Sequence, residues 1–188
     1  MLRKMNSADS LSIYRIFIVI CFILFASVVR IVPHPWNFAP VGAMALFGGA
    51  KLGRSWQAFL FPLAALFCGD IFVGLYSLRL MSIVYFSFVL SVLIGIAFRR
   101  WQSPLPLSLA TFLGASQFFV ITNFAFWAFG TTYQHTFAGL VTCYIAGLPY
   151  FCNTLAGDAF YSALLFGGFA LLARLDPPLR ENEHLPIS

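Results

Sequence analysis

The sequence predicts an all-α integral membrane protein: a bundle of six transmembrane helices with both termini in the cytoplasm. Three observations predict it. The first is composition, with 61% of the 188 residues hydrophobic and only 9% charged, against roughly 25% charged in a typical soluble domain. A water-soluble chain of this size would have to expose much of that apolar surface, so lipid must replace water as its solvent. The second is the length of the apolar runs. They are continuous and near the ~20 residues a membrane-crossing helix needs, and they lack the strict alternation of a transmembrane barrel. The third is charge: the eleven Lys and Arg fall singly or in pairs between those runs, which is how membrane topology is marked. Their dispersal argues against a nucleic-acid partner, which would need a concentrated basic patch.

Residues 1–13 form a cytoplasmic N-terminal segment, residues 14–175 the six-helix transmembrane domain and residues 176–188 a polar cytoplasmic tail. Helix 1 is expected from about Tyr14 to Val32, as an uncleaved helix and not a signal peptide. The segment Pro33–Pro40 is too rich in proline to be helical inside. Helix 2, from about Pro40 to Gly53, is short and full of small residues, which suits close packing against other helices; a re-entrant segment is the alternative. Helix 3 covers about Trp56 to Tyr76 and contains Pro62 and Asp70. Helices 4 and 5, about Leu80–Phe98 and Leu105–Phe129, carry no charge, and helix 5 contains Gln117 and Asn123. The apolar stretch Ala138–Gly147 is too short to span and reads as a separate surface or partly inserted helix. Helix 6 is expected to start near Pro149, a favoured first-turn position, and to run to about Ala173.

With this count, Arg3, Lys4, Arg15, Lys51, Arg54, Arg99, Arg100, Arg174 and Arg180 fall on the cytoplasmic side and only Arg30 and Arg79 on the outer side. That bias supports six spans. Trp56 and Trp101 then sit at the inner interface and Trp36 and Trp127 near the outer one, where amphipathic rings prefer to lie. Two halves of three helices share a faint echo: Asn37-Phe38-Ala39 precedes Asp70 much as Asn123-Phe124-Ala125 precedes Asp158, the pattern of an inverted repeat.

The polar groups within the apolar runs gather toward the outer side. Asp70 and Asp158 stand out, because a carboxyl group in lipid costs at least a few kcal/mol and normally faces the bundle interior with a partner. Arg30 and Arg79 are the cations available to them. The acids either fix the fold by pairing or contact a ligand. His34, between two prolines, Asn37, Asn123, Asn153 and Tyr76 complete the candidate substrate-binding set; the asparagines equally suit caps or interhelical hydrogen bonds. Cys21, Cys68, Cys143 and Cys152 show no metal-ligand spacing and read as small hydrophobes, so no metal or cofactor is expected. No HExxH, GxSxG or P-loop occurs; an enzyme is not expected, and active import would need ATP hydrolysis by another subunit.

The stretch from Arg30 through His34, Asn37 and Pro40 to Ala50, together with Ala146–Leu155 and Gly157-Asp158, resembles a family of small bacterial membrane proteins. That family is similar to the S components of energy-coupling-factor vitamin transporters. The resemblance covers nearly the whole chain. It implies a six-helix bundle in the inner membrane with a pocket near the outer face, and as partners a membrane coupling protein and two ATPase subunits. Helix 1 lacks the Ala-x-x-x-Ala pattern through which S components dock; the small residues lie in helix 2, as Ala39/Ala43 and Ala45/Gly49, so a solitary transporter is equally consistent. The leading expectation is small-solute uptake, of a vitamin-like or cofactor-precursor compound, by a binding subunit or solitary transporter. A membrane scaffold and an intramembrane acid/base enzyme using Asp70, Asp158 and His34 are the alternatives.

Overall fold

The computed structural model describes residues 7–31, 35–101, 103–176 and 179. These form six α-helices: α1 (Ser7–Ile31), α2 (Val41–Leu52), α3 (Gln57–Val73), α4 (Leu78–Phe98), α5 (Pro104–Phe129) and α6 (Phe137–Leu175). Three of them, α4, α5 and α6, are long and apolar enough to cross a membrane. Their apolar windows are mostly not covered by protein, with only 28% and 22% of the α4 and α5 windows buried. Large apolar side chains such as Leu105, Phe137 and Phe72 point outward. This is the surface of a membrane protein, whose outside is solvated by acyl chains.

The short helix α2 is the centre of the bundle. It packs against α1, α3, α4, α5 and α6, and every residue from Ala43 to Leu52 is buried. At ~1.5 Å per residue its twelve residues measure about 18 Å, well short of the ~30 Å hydrocarbon layer. Small residues make this position possible. A Cβ at Gly49 would strike the Val92 carbonyl oxygen, and one at Gly95 the Leu46 carbonyl oxygen, so α2 and α4 touch backbone to backbone. On the other side, a Cβ at Gly48 would come 2.8 Å from Pro62 Cγ of α3. Around the lower half of α2, Phe47 makes edge-on contacts with Phe166 and Phe169, at 5.2 and 5.8 Å between ring centroids.

Both ends of α2 are electrostatically completed by other helices. At its C-terminus Arg15 of α1 donates to the Lys51 carbonyl at 3.2 Å, and the Lys51 ammonium lies 4.4 Å from the centre of the Phe169 ring. Cations at a helix C-terminus are favourable because the last carbonyls carry partial negative charge. Arg15 and Lys51, read in the sequence as topology markers, are both buried; they stabilise the end of the central helix at the same pole of the bundle.

The C-terminal third of the chain differs from expectation. Ala138–Gly147 is not a separate helix, and Pro149 does not open one: both belong to α6, which runs unbroken for 39 residues, about 58 Å at 1.5 Å per residue. Thr136 starts it, its side chain accepting from the Gly139 N–H at 3.1 Å, an N-cap. Pro149 removes one intrahelical hydrogen bond, but contacts to α5 hold both sides of it. Tyr144 donates to the Val120 carbonyl at 2.7 Å, and Phe119 meets Tyr144 edge-on and Phe151 at a tilt. Gly147 lets the helices close, since a Cβ there would sit 2.5 Å from Asn123 Oδ1. The two Asn-Phe-Ala triplets also differ in setting: Asn37 lies in a turn and Asn123 within α5, so they are not equivalent positions of a repeat.

Candidate functional site

The site is built where the chain enters α2. Residues Pro35 to Phe38 form a turn closed by a Phe38 N–H to Pro35 carbonyl bond of 2.9 Å. Asn37 takes a positive φ of 61° there, a conformation that asparagine tolerates better than most non-glycine residues. The turn is pinned to α6. Asn153 donates to the Trp36 carbonyl at 3.0 Å, and Phe38 packs on Phe160 and Tyr161, with ring centroids 6.0 and 5.7 Å away. Gly157 allows this approach, because a Cβ there would lie 3.1 Å from Phe38 Cα.

Asp158 follows directly. Its carboxylate accepts from the backbone N–H groups of Gly42 and Ala43, the latter at 3.1 Å. These are the second and third amides of α2, the ones an N-cap side chain normally satisfies. Pro40, at the N-cap position, makes no such bond, and no acid lies in the first turn of α2. Asp158 therefore caps α2 from another helix, 115 residues away in sequence. Gly42 leaves the space: a Cβ on it would collide with the Asp158 carboxyl oxygens. Asn153, Gly157 and Asp158 thus clasp the segment Trp36–Ala43.

Against this clasp lies a cavity of about 230 Å³. Asn37, Gly42 and Asp158 form its polar end together with Thr154. Tyr76, from the link between α3 and α4, also lines it, as do Ser91 and the apolar Phe88 and Phe118, whose ring centroids are 5.1 Å apart. Gln117 of α5 braces that wall, donating to the Ser87 carbonyl at 2.9 Å and to Ser91 Oγ at 3.0 Å. The volume falls just below the range of about 300–1,000 Å³ usual for small-molecule pockets.

The structure brings together three of the residues singled out from sequence, Asn37, Tyr76 and Asp158, in one cavity wall. Asp70 is 1% exposed and accepts from the Tyr85 hydroxyl at 2.9 Å; it is not among the cavity residues. Asn153 acts through the Trp36 carbonyl. Asn123 is a packing residue of the α5–α6 contact, its amide donating to the Phe119 carbonyl at 2.9 Å. Arg79 is exposed at the start of α4. His34 and the Arg30 side chain lie outside the described residues. Sequence reasoning missed Ser91, Thr154 and Tyr85. The Ser87/Ser91 spacing of four, facing Gln117 in a charge-free helix, was the available signal for a polar strip on one face.

An all-helical chain with three bilayer-length helices and a polar-tipped cavity beside its central helix defines the class: a membrane protein with a candidate small-molecule pocket. The chain belongs to the family described as a family of unknown function (DUF6580), whose model matches residues 11–179. No curated protein and no solved structure matches it.

Proposed function

We propose that the protein takes up, or binds for uptake, a small vitamin-like or cofactor-precursor solute, as a substrate-binding membrane subunit or a solitary transporter. The observation that carries this is the cavity of about 230 Å³ with a polar end at Asn37, Thr154 and Asp158 and an aromatic flank at Phe88 and Phe118. A few convergent polar groups on apolar walls suit a compact, partly polar ligand. In this reading the chain crosses the bacterial inner membrane six times with both termini cytoplasmic, the short α2 doing so inside the bundle, where protein and not lipid surrounds it, and the pocket opens outward. The clustering of Arg54, Arg99 and Arg100 at the opposite pole from the Asn37 turn supports that orientation. The resemblance to S components adds a membrane coupling protein and ATPase subunits as partners for the energised version.

The test is native mass spectrometry of the purified chain. A single small adduct that is retained by wild type and lost when Ser91→Phe fills the cavity supports the reading. Absence of any adduct, with no solute uptake by the protein reconstituted into vesicles, refutes it.

One observation favours a second reading, a non-catalytic membrane scaffold. Both intramembrane acids have internal partners, Asp158 the start of α2 and Asp70 the Tyr85 hydroxyl. Under that reading Ser91→Phe would leave cellular function intact, whereas loosening the clasp with Asn153→Ala would impair it.

A further inference from the structure

At the pole of the bundle opposite the Asn37 turn, the α2–α3 turn and the α4–α5 turn come side by side. Between them lies an open depression of about 760 Å³. Arg54 contributes from the first turn and Arg99, Arg100 and Trp101 from the second. The rest of the lining is apolar: Phe59 of α3 and Leu93, Ile96 and Ala97 of α4. Gly53, with a φ of +67°, makes room for this arrangement, since a Cβ on it would come 2.9 Å from an Arg99 guanidinium nitrogen. Arg54, Arg100 and Trp101 are exposed, and so are Leu93 and Ala97.

Topology marking requires positive charge on one side of the membrane. It does not require guanidinium groups from two separate turns to line one depression. Guanidinium presents paired N–H donors that match phosphate oxygens, and tryptophan prefers the headgroup level of a bilayer. The depression is thus charged at the helix ends and apolar along the helix flanks, the same order as headgroup and acyl chain in a lipid leaflet. We propose that it binds an anionic phospholipid. Arg54, Arg99 and Arg100 hold the phosphate-bearing headgroup, and an acyl chain lies along Phe59, Leu93, Ile96 and Ala97. The site is separate from the cavity at Asp158 and does not depend on what that cavity binds.

The experiment uses the full chain, purified in mild detergent and stripped of lipid. Phosphatidylglycerol and phosphatidylcholine of equal chain length are added, and retained lipid is counted by native mass spectrometry. Each basic residue near an anionic headgroup is worth on the order of fivefold in binding, so phosphatidylglycerol is expected to be retained at least ~10-fold better. Arg54→Gln with Arg100→Gln leaves only Arg99 at the headgroup and brings it down to within about fivefold of the phosphatidylcholine level. Ala97→Trp, which keeps every charge but fills the apolar floor, also lowers phosphatidylglycerol retention. It covers the case in which the double variant fails to fold. Equal retention of the two lipids by wild type overturns the proposal. Undiminished phosphatidylglycerol binding by Ala97→Trp also overturns it. Displacement of the lipid by millimolar inorganic phosphate would assign the arginines to a free-anion site instead, and would overturn it too.

Discussion

Asp158→Ala is the most informative single change in this molecule. It leaves the Gly42 and Ala43 amides at the buried start of α2 without their carboxylate acceptor. Hydrogen bonds to a charged group contribute about 1.5–3 kcal/mol each, so two would contribute about 3–6 kcal/mol. Part of this returns, because the variant no longer bears the cost of burying a carboxylate, and water in the adjoining polar end of the cavity can reach the amides. The net loss is about 2–3 kcal/mol. On the scale of about 2–4 °C per kcal/mol for domains of this length, the melting temperature in detergent falls by about 5–10 °C. Asp158→Asn keeps an acceptor oxygen without the charge and should fall roughly half as far. Hydrogen exchange provides the local readout, with the Gly42 and Ala43 amides accelerating before the rest of α2. A melting temperature within a degree of wild type, with those amides unchanged, would refute the cap.

Four further outcomes follow from the packing. Gly95→Ala drives a methyl group into the Leu46 carbonyl and should cost about 1–3 kcal/mol by forcing α2 and α4 apart. Gly167→Ala, where a Cβ meets nothing within 4 Å, should raise helix stability by about 0.5–1 kcal/mol; thermal melts of the pair check both signs. Tyr85→Phe removes the hydroxyl donor to buried Asp70 and should destabilise by about 1–3 kcal/mol, measured as loss of thermal stability with the helical circular-dichroism signal retained at low temperature. Pro149→Ala restores an N–H inside the continuous α6, so exchange protection should extend without a gap from Leu140 through Leu155; a break in protection near residue 149 would contradict a single helix.

The parts legible in the sequence were those that a local signal specifies. The uninterrupted apolar runs of α4 and α5 gave their limits to within two residues, and the small residues of α2 correctly implied burial on all sides. Pro149 misled because a first-turn proline and a mid-helix proline look alike in sequence; the difference lies in the α5 contacts of Cys143, Tyr144 and Gly147. Asp158 was legible as a buried acid that needed a partner. Arginine was the expected one, whereas the partner is a pair of backbone amides. The positive end of a helix is a property of backbone geometry, and no residue letter marks it. Tyr85 was hidden among seven tyrosines for the related reason that its role depends on which side of α4 faces Asp70.

The cap on α2 also constrains how the protein can be made. Gly42 and Ala43 are synthesised early, but the carboxylate they donate to is on α6, 115 residues after Ala43. At about 5–20 residues per second of synthesis, about 6–23 seconds separate the two. During that interval the first amides of α2 lack this acceptor and need water in its place. Nascent chains stopped before residue 158 should therefore hold α2 loosely, and arrival of α6 is the event that commits the second helix to the centre of the bundle.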